Sequence, residues 1–287
     1  MAQTNKAKLV PAVAHYDANY RNFQSELYSE IRREAFGEDI GQNSWLTSDE
    51  QDKFLGWLDI FDGKGPKDKT SEGTGHKLLD IACGAGGPAL RIAETTGCSV
   101  VGIDVHEEAI SAANSLAGQR GLAELAEFRA ADATGRLPFA DASFDAITCV
   151  DAINHLPNRP GVLEEWSRLL KKKGRLLFTD PITVTGPLTN TEIAVRSSIG
   201  FFLFVPRGYD ERLIADCGLR LLVSEDVSSN MAEIAERRCA SRARRSTALR
   251  EIEGDETYDG QQEFLSVAAR LAREGRLSRF VYVAEAP

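Results

Sequence analysis

A doubly wound α/β fold, built on a mostly parallel sheet of seven strands, is the architecture this sequence predicts. Two observations carry that expectation. From Lys77 onward, short apolar runs alternate with stretches of helical periodicity, and glycines punctuate the joins, most densely at Gly84-Ala85-Gly86-Gly87. Short buried strands separated by helices pack as a parallel sheet covered on both faces. Right-handed crossovers make such a sheet doubly wound.

Each element has its own reason. KLLDIAC (77–83), SVVGIDV (99–105), EFRAADA (127–133), FDAITCVDA (144–152) and GRLLFTD (174–180) read as five strands. Helices are expected near 88–96, over 106–121 and over 160–174. After Asp180 the alternation loosens: a helix at 209–217, a strand at 219–227, a long helical stretch over about 228–275, and a last strand at 279–285. That stretch is an insertion before the last strand, and interruptions of this size are usually functional. Upstream, residues 15–60 read as helical, because Tyr20, Phe23, Leu27, Ile31 and Phe36 recur at helical spacing, as do Phe54, Trp57, Leu58 and Phe61. Thr47 and Glu50 are spaced as a capping box. Residues 63–73 contain no apolar side chain and read as a solvated linker. The expected division is a helical cap and linker over 1–75 and a ligand-binding domain over 76–287.

The 287 residues are 43% hydrophobic and 27% charged, which excludes collagenous and disordered chains. A formal charge of −9 argues against nucleic acid or an anionic membrane as partner. The longest nearly unbroken apolar run, Ile199 to Pro206, is too short to span a bilayer, and the N-terminus lacks a signal peptide's apolar segment. A cytoplasmic protein without membrane insertion is expected, monomeric or homodimeric, with a small-molecule substrate. The five cysteines are scattered without a C-x-x-C pair, as in reduced proteins. The histidines, at 15, 76, 106 and 155, have no metal-ligand spacing, so no metal site is expected.

The most informative stretch is Leu78-Leu79-Asp80-Ile81-Ala82-Cys83-Gly84-Ala85-Gly86-Gly87-Pro88-Ala89. A strand ends, glycines turn the backbone sharply, and a helix opens with proline in its first turn. Gly84-x-Gly86-x-x-Ala89 followed by Asp104 satisfies the generic dinucleotide fingerprint. The surrounding residues are more specific. The order D-x-A-x-G-x-G from Asp80, an acid closing the second strand, Asp132-Ala133 after the third, and the later run PNRPGVLEEWSRLLKKKGRLLFTDP together resemble the class I S-adenosylmethionine-dependent methyltransferases. The resemblance covers about 76–181, and within that family it is nearest the small-molecule branch, the quinone, phosphoethanolamine and dimethylglycine type. One position departs: Ala82 stands where the family's G-x-G-x-G has its first glycine.

The resemblance implies S-adenosylmethionine as cofactor and an in-line methyl transfer to a small molecule. It implies that Asp80, Ala82, Cys83, Gly84 and Gly86 surround the methionyl end, with Val150 near its amine or sulfonium. Asp104 would accept both ribose hydroxyls, or serve as an ordinary N-cap. Val105 would pack on the adenine, with Asp132 and Ala133 meeting its edge, unless Asp132 is a plain loop turn. The turn Asp151–Leu156 follows the fourth strand at the carboxyl edge, where doubly wound folds hold ligands. There His155 is the base candidate and Asp151 its orienting partner or a holder of cationic substrate. Gln42, Ser44 or Trp45 would touch cofactor or substrate, or Trp45 would anchor its loop. The aromatic run 201–205 is either pocket wall or core. The arginines at 237, 238, 242, 244 and 245 are the one feature that suggests an anionic partner, but with Glu233 and Glu236 beside them they read better as a solvated helix face. Two alternatives stand beside methyl transfer: an NAD-dependent oxidoreductase, and a non-catalytic cofactor-binding protein of the same fold.

Overall fold

The computed structural model describes residues 23, 25–60 and 75–287. The expected linker at 63–73 and Tyr20 of the first helical segment lie outside the described residues. Helices α1 (Glu26–Phe36) and α2 (Ser48–Leu58) precede β1 (Lys77–Ile81), α3 (Gly87–Thr96), β2 (Ser99–Asp104), α4 (Glu107–Arg120), β3 (Ala126–Ala130) and β4 (Phe144–Cys149). A 3₁₀ turn at Ile153–His155 leads to α5 (Arg159–Leu169) and β5 (Leu170–Val184). Then come α6 (Asn190–Arg196), β6 (Val205–Pro206), α7 (Tyr209–Asp216), β7 (Arg220–Asp226), α8 (Ser228–Arg244), α9 (Ser246–Glu253), α10 (Asp255–Arg273) and β8 (Leu277–Glu285).

Seven strands run in the order β3-β2-β1-β4-β5-β8-β7, and the two-residue β6 adds an eighth beside β5. Strands β1 to β5 pair in parallel, and β8 lies antiparallel between β5 and β7. Alternation along each strand divides the core into two layers. Leu78, Leu177 and Val283 face Phe54, Leu58 and Leu90. Leu79, Ile147 and Phe178 face Leu163, Trp166 and Ile214. The sheet is therefore covered on both faces, and α2 helps to cover one of them.

Three local expectations change. The helix expected to reach residue 174 ends at Leu169, because Leu170 already pairs with Phe144 and starts a fifteen-residue strand. That strand continues past Pro181, whose missing donor falls where the β5–β8 register shifts, between Asp180 and Thr183. The stretch 228–275 is three helices, broken at Arg245 and at Gly254 with φ 81°. The capping box at α2 is half made. Thr47 Oγ1 accepts from the Glu50 N–H, but the Glu50 carboxylate goes instead to Arg279 at 2.8 Å.

The cap helices join through an apolar cluster in which Phe36 and Trp45 pack with Met231, Ile234, Phe264 and Leu265. Around it the expected solvated arginine face proves to be a seam of ion pairs. Arg242 is buried against Glu253, Arg244 and Arg245 reach Glu34, and Arg237 pairs with Glu233. Acids on α1 and α9 consume charges that the sequence alone left facing solvent.

Candidate active site

A cleft of about 510 Å³ opens at the carboxyl ends of β1, β2 and β4, a size within the usual range for small-molecule sites. Its floor is the glycine turn. Ala82, Gly84 and Gly86 all have left-handed φ, at 57°, 55° and 78°. Ala82 holds that conformation against the Cβ penalty of about 1–2 kcal/mol, so the family's glycine at this position has a backbone reason. At Gly86 a side chain has no room: a Cβ would lie 2.7 Å from Ala113 Cβ and 2.9 Å from the Phe128 ring. At Gly87 it would meet the Ile40 carbonyl at 2.1 Å, because the loop between α1 and α2 presses on this turn.

Four carboxylates line the cleft: Asp80, Asp104 and Asp132 at or just past the ends of β1, β2 and β3, and Asp151 in the turn after β4. Asp104 Oδ2 accepts from the Gly84 N–H at 2.9 Å and Oδ1 from the His106 N–H at 3.0 Å. It thus ties the glycine turn to the start of α4, and each oxygen keeps capacity for a further donor. Burial pushes the Asp80 carboxyl up to about 7, against the Thr148 hydroxyl donating at 2.7 Å and with the nearby Asp104 charge adding to the rise. Asp132 is exposed and takes both the N–H and the hydroxyl of Thr134, an Asx turn. Val105, 59% exposed, stands beside it in the cleft with Ala133 and Val150. Cys83 is buried and its thiol is held well above the usual range, chiefly by desolvation.

His155, half-buried, sits at the far side of the cleft. Its Nδ1 lies 2.8 Å from the Phe201 carbonyl, which only accepts, so Nδ1 carries the proton and Nε2 the lone pair. Burial and, less strongly, the Arg196 charge lower its pKa, although the Phe201 bond opposes them. A neutral imidazole follows at pH 7, the form a base needs. Asp151 does not orient it. Its Oδ1 accepts from Arg279 Nε and Thr179 Oγ1, both at 2.7 Å, and its Oδ2 from the Trp45 N–H at 2.8 Å. With φ 55°, the residue turns its carboxylate toward the last strand and the cap.

Two more expectations separate here. Gln42 is buried and bonds the Ile40 N–H and the Glu38 carbonyl, shaping its own loop without lining the cleft. Trp45 anchors that loop in the cap core and lines a smaller neighbouring cavity, while Ser44 reaches the cleft. Phe201, 43% exposed, is cleft wall; Phe202 faces the smaller cavity. Sequence reading missed Thr148 and Arg279, and read Glu50 only as part of a capping box; none of the three lies near its site partner in the chain. No Lys or Arg lines the cleft among the described residues. Among the same residues no group of three His, Cys, Asp or Glu side chains is placed to hold a metal, and no helix is long and apolar enough to cross a membrane.

Residues 79–178 match the family described as methyltransferase domain, and the match spans β1 through most of β5. This segment is similar to methyltransferase domains. Beyond it, the chain is 38% identical over 160 residues to methyltransferase GfsG of Streptomyces halstedii, covering 54% of this chain and 56% of that protein. It is 37% identical over 113 residues to the 27-O-demethylrifamycin SV methyltransferase of Amycolatopsis mediterranei, covering 39% of this chain and 41% of that one. The chain thus spans about half the length of the curated relatives it matches. In shape it is similar to a Haemonchus contortus phosphoethanolamine N-methyltransferase, with a TM-score of 0.74, 19% identity, and 95% of this chain and 60% of that one covered. The matched segment holds the glycine turn and all four cleft carboxylates; Arg279 and Glu50 come from outside it.

Proposed function

We propose that this chain transfers a methyl group from S-adenosylmethionine to a small-molecule acceptor. The charge of the cleft is the observation that carries this reading. Asp80, Asp104 and Asp132 line it without a lysine or arginine among the described residues. That set attracts a sulfonium and an ammonium, and it repels the pyrophosphate of a nicotinamide dinucleotide. The left-handed turn at 82–86, with no space for a Cβ at Gly86, suits close approach of backbone to the methionyl end. Asp104 retains acceptor capacity for the ribose diol, and Val105 offers an exposed apolar face to the adenine. When bound, S-adenosylmethionine supplies an electrophilic methyl carbon on sulfur. The chain's own tasks are to align the acceptor, exclude water and take the acceptor's proton. His155 Nε2 takes that proton. Residues 25–60 and α8–α10 act as a lid over the carboxyl edge, with the acceptor held between the lid and the 151–155 turn. The names of the relatives, which include a 27-O-demethylrifamycin SV methyltransferase, support a small-molecule acceptor.

Calorimetric titration with S-adenosylhomocysteine and with NAD tests this reading. Binding of the former, and its weakening by about 1.5–3 kcal/mol in Asp104→Ala, is the expected result for lost charged hydrogen bonds. Unchanged affinity in a folded Asp104→Ala protein, or preferential binding of NAD, overturns the assignment. Metabolite pools offered with a labelled methyl donor then identify the acceptor.

A further inference from the structure

A smaller chamber lies beside His155, enclosed by the 43–45 loop, the Ile153–His155 turn, α6, α8 and α10. Its volume of about 80 Å³ is room for several water-sized atoms. It shares Asn43, Ser44, Asp151 and His155 with the large cleft, so one ligand can reach from one chamber into the other past the imidazole.

Unspent charge does not mark this chamber. Asp151, the carboxylate in its wall, is taken by Arg279, Thr179 and the Trp45 amide. Arg196 and Arg238 lie against the Phe264 and Trp45 rings, and both have further partners. A carboxylate, phosphate or ammonium entering here would give up its hydration for counter-charges that are already engaged. Asn154 differs. Its side chain is fully buried in the same wall, yet neither Nδ2 nor Oδ1 has a hydrogen-bond partner. The backbone of the residue is held, because its carbonyl accepts from the Leu203 N–H at 2.8 Å. Buried amides are almost always satisfied, so a donor and an acceptor left together at a chamber wall mark a place where something bonds. The amide is neutral, and its natural complement is a neutral group that both accepts and donates.

We propose that Asn154 anchors the acceptor through an uncharged polar group of the carboxamide or hydroxy-carbonyl type, and so selects neutral acceptors over acids and amines. The proposal rests on the methyl-transfer reading and deepens it by naming the acceptor's chemical class. The methyl donor occupies the acidic cleft, the acceptor's reacting atom meets His155, and its anchoring group lies one step further in. The Trp45, Phe202 and Phe264 rings flank the chamber and favour a flat carrier. On the cleft side of the imidazole, Ala152, Leu156 and Phe201 give the body of that carrier an apolar bed.

The test uses the full chain saturated with S-adenosylhomocysteine, whose binding is confirmed calorimetrically in the same sample. Salicylamide, salicylate, 2-hydroxybenzylamine and 2-methylphenol share a phenol ring and differ in the group beside the hydroxyl: neutral amide, anion, cation and methyl. Each is titrated at pH 7, with its dissociation constant read by ligand-observed NMR. Salicylamide is expected to bind at least about tenfold more tightly than any of the others, the order of one or two well-made hydrogen bonds. Asn154→Leu keeps the branched shape and removes both hydrogen-bonding atoms. It should weaken salicylamide at least about fivefold and leave 2-methylphenol and S-adenosylhomocysteine affinities unchanged. Asn154→Ala, which removes the same atoms without adding bulk, should do likewise. If salicylate or 2-hydroxybenzylamine binds as tightly as salicylamide, or if salicylamide does not exceed 2-methylphenol, the neutral anchor is overturned while the cofactor reading stands. Unchanged salicylamide binding in a folded variant also overturns it and leaves the amide to ordered water. Failure of the wild-type chain to bind S-adenosylhomocysteine removes the reading beneath it, and the proposal with it.

Discussion

The glycine turn and the helical cap both border the same cleft, yet they are held by different physics. The turn is shaped by backbone: three left-handed residues within five positions, and a carboxylate on Asp104 that clasps the Gly84 amide. Its clasp lies only 20 residues further along the chain. The cap is held by side chains recruited across the whole chain. Glu50 of α2 and Asp151 of the site loop share the fully buried Arg279 of the last strand, and Glu34 of α1 meets arginines at the end of α8. A backbone device is local and tolerates changes elsewhere; a buried charge clamp fails at once when any member is lost.

That contrast can be broken most severely at Arg279. Arg279→Leu leaves two carboxylates buried against an apolar side chain, and a loss of about 3–5 kcal/mol in unfolding free energy is expected, measured by urea denaturation. A loss below about 1 kcal/mol would mean that the cap is held by its apolar cluster alone. The Asp80 carboxyl, pushed up to about 7 by burial, sharpens the comparison on the other side. Its raised value favours the folded protein fully below the ordinary carboxyl range, and this contribution is lost as pH rises through about 7. A cationic ligand in the cleft favours the ionised form. Binding of S-adenosylmethionine should therefore release protons near pH 7 and strengthen as pH rises through that value. Asp80→Asn should abolish the proton release, as read by calorimetry in buffers of different ionisation heat. Proton uptake on binding would contradict this account. The smallest effect concerns the cap's local structure. Thr47→Ala removes the hydroxyl that caps α2 and should cost about 1 kcal/mol, visible as a reduced melting temperature with ligand affinity almost unchanged.

The same division explains what could be read from sequence. The succession of strands and helices, the glycine turn and the acids closing β1 and β2 were legible because a parallel α/β unit writes its ligand edge into contiguous motifs. The strand pattern also located the insertion before β8, though not its breaks at Arg245 and Gly254. Of the two roles expected of Asp151, orienting His155 fails, because proximity in sequence says nothing about which way a left-handed residue turns its carboxylate. Gln42 and Trp45 were placed in the right loop, but that loop uses them to hold itself. Asn154 gave no signal at all: an asparagine becomes informative only once its surroundings are dry.

The position of Arg279 also bears on the order in which the molecule can be assembled. Glu50 precedes it by 229 residues and Asp151 by 128. During synthesis both carboxylates emerge long before the cation that neutralises them. Domains generally begin to organise from the N-terminal side as the chain grows, but here two of the acids destined for the interior have no counter-charge until the final strand inserts between β5 and β7. The early helices must therefore wait, hydrated and loosely held, for β8. Completion of the sheet and sealing of the cleft become one event, which protects a half-made polypeptide from acquiring a closed but incomplete ligand chamber.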